Sequence, residues 1–308
     1  MLKLSGYIDL PENIKPGGFD HADVHRADKR LYVAHTVNDA LDVIDCLTDR
    51  YLCSIPNLTG VAGALVSNER NLVFTSNRGE NTVGIFSPKD EGDLVKVPVG
   101  VRPNGLAFAS ASDLLLVANV GDPAIPGSFT LSLVDIQKKT MIHSIPVPGR
   151  TRWAVFDARS GCFYVNIMDP AQIVVVAASD PSRLAKVFEI PEAGPHGLEL
   201  DAERRRLYCA CDAKKLVSVD IDTGKVLAAG DLSGTPDVVF FNPALQRLYV
   251  AVGDPGVIDV FDSIRMQPVE TVQTEKGAHT LALDVTNNKI YAFLPQTHRA
   301  GVFIDITV

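Results

Sequence analysis

Seven times along this chain of 308 residues a short strand-like segment of one type recurs: RLYVAH (30–35), NLVFTS (71–76), LLLVAN (114–119), CFYVNI (162–167), RLYCAC (206–211), RLYVAV (247–252) and KIYAFL (289–294). A repeat of this length constrains the fold more than any composition does, because each copy is one supersecondary unit that buries its apolar face only by packing on its neighbours. Counting back twelve residues from the central position of each copy (Tyr32, Phe74, Leu116, Tyr164, Tyr208, Tyr249, Tyr291) gives a second apolar segment. These segments begin at residues 20, 62, 104, 152, 196, 237 and 279, so the spacing is 42, 42, 48, 44, 41 and 42. Each unit holds several short β-rich runs and almost no 3.6-residue periodicity, which predicts four-stranded sheets rather than helical hairpins. Seven such sheets predict an all-β, seven-bladed β-propeller of antiparallel blades, one domain over 1–308.

The two ends complete this reading. After KIYAFL there is room for one more strand, AGVFIDITV, which leaves blade seven without its outermost strand. The N-terminal LSGYIDLP resembles the fourth-strand segments HSIPVPG and VFEIPEAG, so residues 4–11 are expected to complete blade seven and close the ring. The longest insertion, NVGDPAIPGSFTLS (119–132), accounts for the 48-residue repeat. It is expected beside the channel mouth, on the ring face or opposite it depending on strand direction.

Repeats of the form PxGxxxx…LYVAxxxxxxVxVID, as in PNGLAF…LLVAN, PHGLEL…RLYCACDAKKLVSVDIDTG and RLYVAVGDPGVIDVFD, resemble the YVTN-repeat family of seven-bladed propellers along essentially the whole chain. The resemblance implies the fold and leaves the activity open, since propellers host enzymes, cofactor binders and scaffolds alike.

In a propeller the innermost strand of every blade borders the central channel, so the residue opening that strand recurs around one mouth. The register names Asp20, Ala62, Asn104, Arg152, His196, Asp237 and His279. Blades five, six, seven and one are neighbours, so His196, Asp237, His279 and Asp20 form one arc, with Asn104 and Arg152 on the facing side. A one-residue slip in blade one would bring His21 to the axis instead, but it would also set Asp23 and His25 where other blades carry Leu106 and Phe108, so the apolar pattern favours Asp20.

Two imidazoles and a carboxylate converging on one point suit Zn²⁺, Fe²⁺ or Mn²⁺, with His196, His279, Asp237, Asp20 and His21 as candidate ligands. The carboxylates could instead orient the histidines or act as a base, and the same groups serve without metal, as general base and anion clamp. Arg152 is the expected anchor for a substrate carboxylate or phosphate, with Asn104, Trp153 and His35 as further substrate-binding candidates. The bland alternative is a solvated polar rim, such as many channel mouths carry.

Lys+Arg is 29 against Asp+Glu 37, a net charge of −8, which argues against nucleic acid and anionic membrane as partners. No stretch of 18 apolar residues or signal-peptide core is present, so a soluble cytoplasmic protein is expected. Five cysteines without a CxxC pair read as reduced; Cys209 and Cys211 lie two apart on one strand, a weak redox or metal hint. His25 is expected as a surface or turn residue, His143 on an outer strand and His298 in a loop, none with a role. No G-x-S-x-G elbow, H-E-x-x-H helix or phosphate loop is present.

The functional expectation is an enzyme acting on a small anionic metabolite, a metal-assisted hydrolase of the lactonase kind or a lyase, with catalytic candidates His196, His279, Asp237 and Arg152. Lactonases, lyases and iron-centred oxygenases on propellers are architectural analogies only. The competing expectation is a non-enzymatic propeller that binds a protein or cofactor.

Overall fold

The computed structural model describes residues 1–306. It holds 28 strands in seven four-stranded antiparallel sheets, each built from consecutive strands except the last. In that sheet Thr280–Asp284, Lys289–Leu294 and Arg299–Asp305 are followed on the outside by the N-terminal strand Leu2–Asp9. The chain is a seven-bladed β-propeller. The final two residues of the AGVFIDITV segment lie outside the described residues.

The twelve-residue register holds in every blade. The central residue of the second strand faces the residue nine before it in all seven sheets: Tyr32 pairs with Asp23, Phe74 with Leu65, Leu116 with Ala107, Tyr164 with Val155, Tyr208 with Glu199, Tyr249 with Phe240 and Tyr291 with Ala282. The turn between these strands is equally regular. The residue three before each centre, Lys29, Asn71, Asp113, Gly161, Arg205, Gln246 or Asn288, has φ between 51° and 66°. This is the left-handed last position of a hairpin loop that has the same length in every blade. Only blade four fills it with glycine; elsewhere the hairpin holds a side chain in a conformation that L-residues seldom adopt.

The second strands read as unbroken apolar runs because neighbouring blades cover both their faces. RLYVAH, CFYVNI, RLYCAC and RLYVAV are each buried from their second residue onward. Outer strands such as Gln267–Gln273 alternate instead, having water on one side. Core packing runs between blades, as where Ile8, Leu10, Val24 and Leu31 meet Tyr291 and Phe293 across the closure.

Closure follows the expected pairing, displaced two residues toward the N-terminus. Leu2 faces Asp305 and Asp9 faces Arg299. Leu2 and Ile8 are buried, the Met1 ammonium lies 3.1 Å from Asp305 Oδ1, and Arg299 Nε donates to Asp9 Oδ1 at 2.9 Å. Leu10 still donates its amide to His298 O, but Pro11 has no amide to continue the ladder. No helix among the described residues is long and apolar enough to cross a membrane.

Candidate functional site

The inner strands start at one end of the channel, and the second strands finish there, because the sheets are antiparallel: Pro103, beside Asn104, pairs with Asn119. The 119–132 insertion therefore rises on the ring face. It is tied back to blade three by Val120 N donating to Arg102 O and Gly121 N to Val101 O, and it is closed on itself by Ser128 Oγ donating to Asp122 O.

At this mouth His196, Asp237 and Arg152 meet. His196 Nδ1 is 2.8 Å from Asp212 Oδ1 and its Nε2 is 3.1 Å from Asp237 Oδ1. Burial alone would favour the neutral ring, but Asp237 and Asp212 outweigh it and raise the His196 pKa to about 9. The ring is thus an imidazolium at neutral pH, donating from both nitrogens. Arg152 Nη1 also lies 3.1 Å from Nε2, and an arginine N–H cannot share that position with an Nε2–H. With carboxylates on both edges the charged ring prevails, and the guanidinium waits in contact with it. Burial would likewise raise Asp237, yet its histidine neighbours, His196 foremost, hold its carboxyl well below the usual range.

His279 stands on the other side of Asp237, its Nε2 3.9 Å from Oδ2, and its side chain is 39% exposed. Its Nδ1 is 2.8 Å from Gly277 O. A carbonyl only accepts, so Nδ1 carries a proton, and the tautomer this contact selects has its lone pair on Nε2, facing Asp237 and the mouth.

Blade one resolves as Asp20 at the mouth with His21 one layer deeper. Asp20 is 3.1 Å from Arg78 Nη2, and Arg78 also donates to Asn104 Oδ1 at 2.7 Å. His21 Nε2 lies 3.3 Å from Asp20 Oδ1, and the ring stacks on Trp153 with centroids 4.0 Å apart and planes at 27°. Burial pulls the His21 pKa below 6.5, against Asp20 and Asp237, so the ring is neutral. The stack crosses the axis from blade one to blade four. Blades two, three and five carry Gly63, Gly105 and Gly197 at the same register position, where the inner strands of neighbouring blades approach closely. A Cβ on Gly105 would stand 2.4 Å from Arg152 O, and one on Gly197 2.4 Å from Asp237 O. Trp153 is therefore a plug beneath the mouth rather than an open wall.

The structure places two of the histidines differently from the expectation. His35 does not line the mouth: it is fully buried, with Nδ1 2.8 Å from Asp42 Oδ2, Nε2 2.8 Å from Asn13 Oδ1, and its ring 4.3 Å from that of Phe19. It knits blade one to the N-terminal segment. The expected metal ligands already have partners inside the protein. His196 lies between Asp212 and Asp237 with Arg152 3.1 Å from its Nε2, and Asp20 is paired with Arg78; among the described residues no group of three or more His, Cys, Asp or Glu has the arrangement of a metal site. Elsewhere, His25 is not a surface residue but the buried last residue of its strand, paired with Asp28 at 3.2 Å, and the Cys209 and Cys211 sulfurs are 3.8 Å apart in the core.

Two residues outside the expected ring, Arg78 and Asp212, take part in it. Both stand four residues after the central position of their repeat, at the start of the turn on the same face, so the register defines a second ring that interleaves with the first. Two residues before the inner strand lies a third ring position. Blades one, two, five and seven have Gly18, Gly60, Gly194 and Gly277 there, while adjacent blades three and four have Arg102 and Arg150. Burial lowers the Arg150 pKa, and Arg152, Arg78 and Arg102 lower it further, with Asp212 opposing. Burial lowers Arg152 too, with Asp212 and Asp237 opposing and Arg78 adding to the shift. Four guanidinium groups thus crowd one sector of the mouth, and the Nε atoms of Arg78 and Arg152 are buried without a partner.

No protein-family model and no curated protein matches the chain, so the YVTN likeness rests on the repeat residues alone. Among solved structures it is similar to a chain of the Kuenenia stuttgartiensis hydrazine synthase, with TM-score 0.82 and 12% identity over 97% of this chain and 98% of that one. It is also similar to a chain in the crystal structure of a mitotic checkpoint complex, with TM-score 0.83 and 10% identity over 99% and 92%. At these identities the likeness is one of architecture: the chain is a seven-bladed propeller.

Proposed function

We propose that the mouth binds a small anionic metabolite and that the protein is an enzyme using it for hydrolysis, including lactone opening, or for elimination. The observation that carries this reading is the arginine sector. Arg78 and Arg152 have Asp20 and Asp212 as partners, whereas Arg102 and Arg150 have no ion-pair partner among the described residues. Mutual repulsion within a cluster of cations is relieved by a bound carboxylate or phosphate, and guanidinium groups suit such anions.

The histidines beside that sector supply complementary proton chemistry. The His196 imidazolium is the acid. On losing its Nε2 proton it gains the waiting Arg152 Nη1–H as donor, so its neutral form is held in place. His279 is the base: its Nε2 lone pair takes a proton from water or from carbon next to a carboxylate, and the imidazolium formed has Asp237 beside it. An acid and a base on opposite sides of one carboxylate are a common basis of paired proton transfer. Neither step requires a metal.

A binding module without chemistry is the second reading, favoured by Asp237 being already engaged by His196. Phosphate and small carboxylate titrations into wild type and Arg150→Ala test the anion site, and His279→Asn tests the chemistry. Hydrolysis of a lactone panel that survives His279→Asn unchanged would refute the base assignment; anion binding without turnover on any lactone or hydroxy acid would favour the second reading.

A further inference from the structure

Below the His21–Trp153 plug the channel widens into a cavity of about 480 Å³, within the range that small-molecule sites occupy. Its walls are mostly apolar: Phe108, Phe156, Phe240, Leu200, and the indole of Trp153, whose Nε1 has no partner. Exposed Arg26, Glu69 and Ala158 stand at its outer rim, on the face away from the mouth. Two carboxyl groups enter this apolar space, Asp23 from blade one and Glu199 from blade five.

They occupy the same register position, opposite Tyr32 and Tyr208, where the other five blades carry Leu65, Ala107, Val155, Phe240 and Ala282. Each also accepts backbone amides. Asp23 takes Val24 N and Val66 N at 2.7 Å, and Glu199 takes Leu200 N at 2.8 Å and an amide of Phe241 in the next blade. Joining blades does not account for them, since five of the seven blades make the same joint with an apolar side chain there.

We infer that this lower cavity is a binding site for a small organic cation, an ammonium group with an apolar body, held between Asp23 and Glu199 against the aromatic wall. Each carboxylate oxygen that accepts one amide keeps a second lone pair for an N–H donor. Aromatic faces attract a cation as well as burying its hydrocarbon part. The one basic side chain at the cavity is Arg26 at the rim, and His21 above is neutral, so an anion finds no counter-charge inside. Both carboxyls are reluctant to ionise in these surroundings. Burial pushes Asp23 up to about 6 despite its amides, and pushes Glu199 up to about 7 with Asp23 adding to the shift. A cation between them reverses that cost.

Trp153 is the only tryptophan in the chain, so its fluorescence reports on the cavity directly. The probes are 2-phenylethylammonium and the near-isosteric neutral 2-phenylethanol, titrated into the full-length protein at pH 8. The expected result is at least tenfold tighter binding of the ammonium. That preference should disappear in Glu199→Gln, which keeps an acceptor for Leu200 N, and should weaken in wild type as pH falls from 8 to 5 and Asp23 and Glu199 take up protons. His21, Arg26 and Glu69 also face this region, so the alcohol run at each pH serves as the reference for their effects. His279→Asn, at the mouth, should leave the ammonium affinity unchanged, which separates this site from the anion site above. Equal affinity for alcohol and ammonium in wild type, or no fluorescence response to either at millimolar concentration, would overturn the inference whether or not Glu199→Gln folds.

Discussion

The charged state of His196 is the hinge of the proposed chemistry, and it has a measurable energetic signature. The folded pKa is about 9, against 6.5 for a free histidine, a difference of about 2.5 units. The raised value means that the folded state holds this proton more tightly than the unfolded chain. The associated stability is therefore fully present below pH 6.5 and is lost as pH rises through about 9. At ~1.36 kcal/mol per unit the loss is about 3 kcal/mol, and it is spread over the Asp212 and Asp237 contacts rather than owned by one of them. The side chain is 13% exposed, so solvent screening removes little of it. An unfolding entropy of ~2.1 cal/mol/K per residue over the whole chain converts this to a melting-temperature difference of about 5 °C. The assay compares urea and thermal unfolding of wild type and His196→Gln between pH 6 and pH 10. The difference between the two proteins should shrink by about 3 kcal/mol across that range. In parallel, ¹⁵N NMR should show His196 protonated at both nitrogens at pH 7.5, and Asp237→Asn should lower its midpoint. A His196 midpoint at or below 6.5, or a stability difference independent of pH, would refute the imidazolium assignment and with it the acid role.

Arg150→Ala should weaken phosphate or carboxylate binding about tenfold by calorimetry while leaving the melting temperature unchanged or slightly raised, because it relieves repulsion from Arg152, Arg78 and Arg102. Gly105→Ala would press a methyl group on Arg152 O, so a loss of about 2 kcal/mol in urea unfolding and reduced anion affinity are expected together. Deleting residues 1–9 removes a full strand ladder and the burial of Leu2 and Ile8, costing at least about 4 kcal/mol, or a fall of about 6 °C or more in a single cooperative melt. An unchanged melt would refute the closure.

The repeat register made most of the ring legible before any coordinates. A twelve-residue offset measured on Tyr32 or Tyr208 applies unchanged to every blade because strand pairing has a period of two and each hairpin turn has one length. It therefore named Asp20, Asn104, Arg152, His196, Asp237 and His279 as neighbours of one mouth. The same arithmetic carried four residues past each centre would have named Arg78 and Asp212, and carried two residues before each inner strand would have named Arg102 and Arg150. The signal was present, but these positions lie in turns, where no apolar alternation draws attention to them. His35 misled for a related reason: the end of a second strand lies near the mouth in height, but its side chain turned into the joint with the N-terminal segment, where Asp42 and Asn13 take both its nitrogens.

What the amino-acid order determined alone is the number of blades, the place where the ring closes and which residue types share each layer of the channel, since these follow from local periodicity. Which partner each charged group takes was decided only by closing the ring. His196 faces Asp237, Asp212 and Arg152 at once, and Trp153 crosses the axis to His21, through contacts between blades whose distances no local pattern encodes. The protonation state of His196 and the division of the channel into an arginine-bearing mouth and an apolar, carboxyl-bearing cavity are sums over those contacts, so they exist only in the folded molecule.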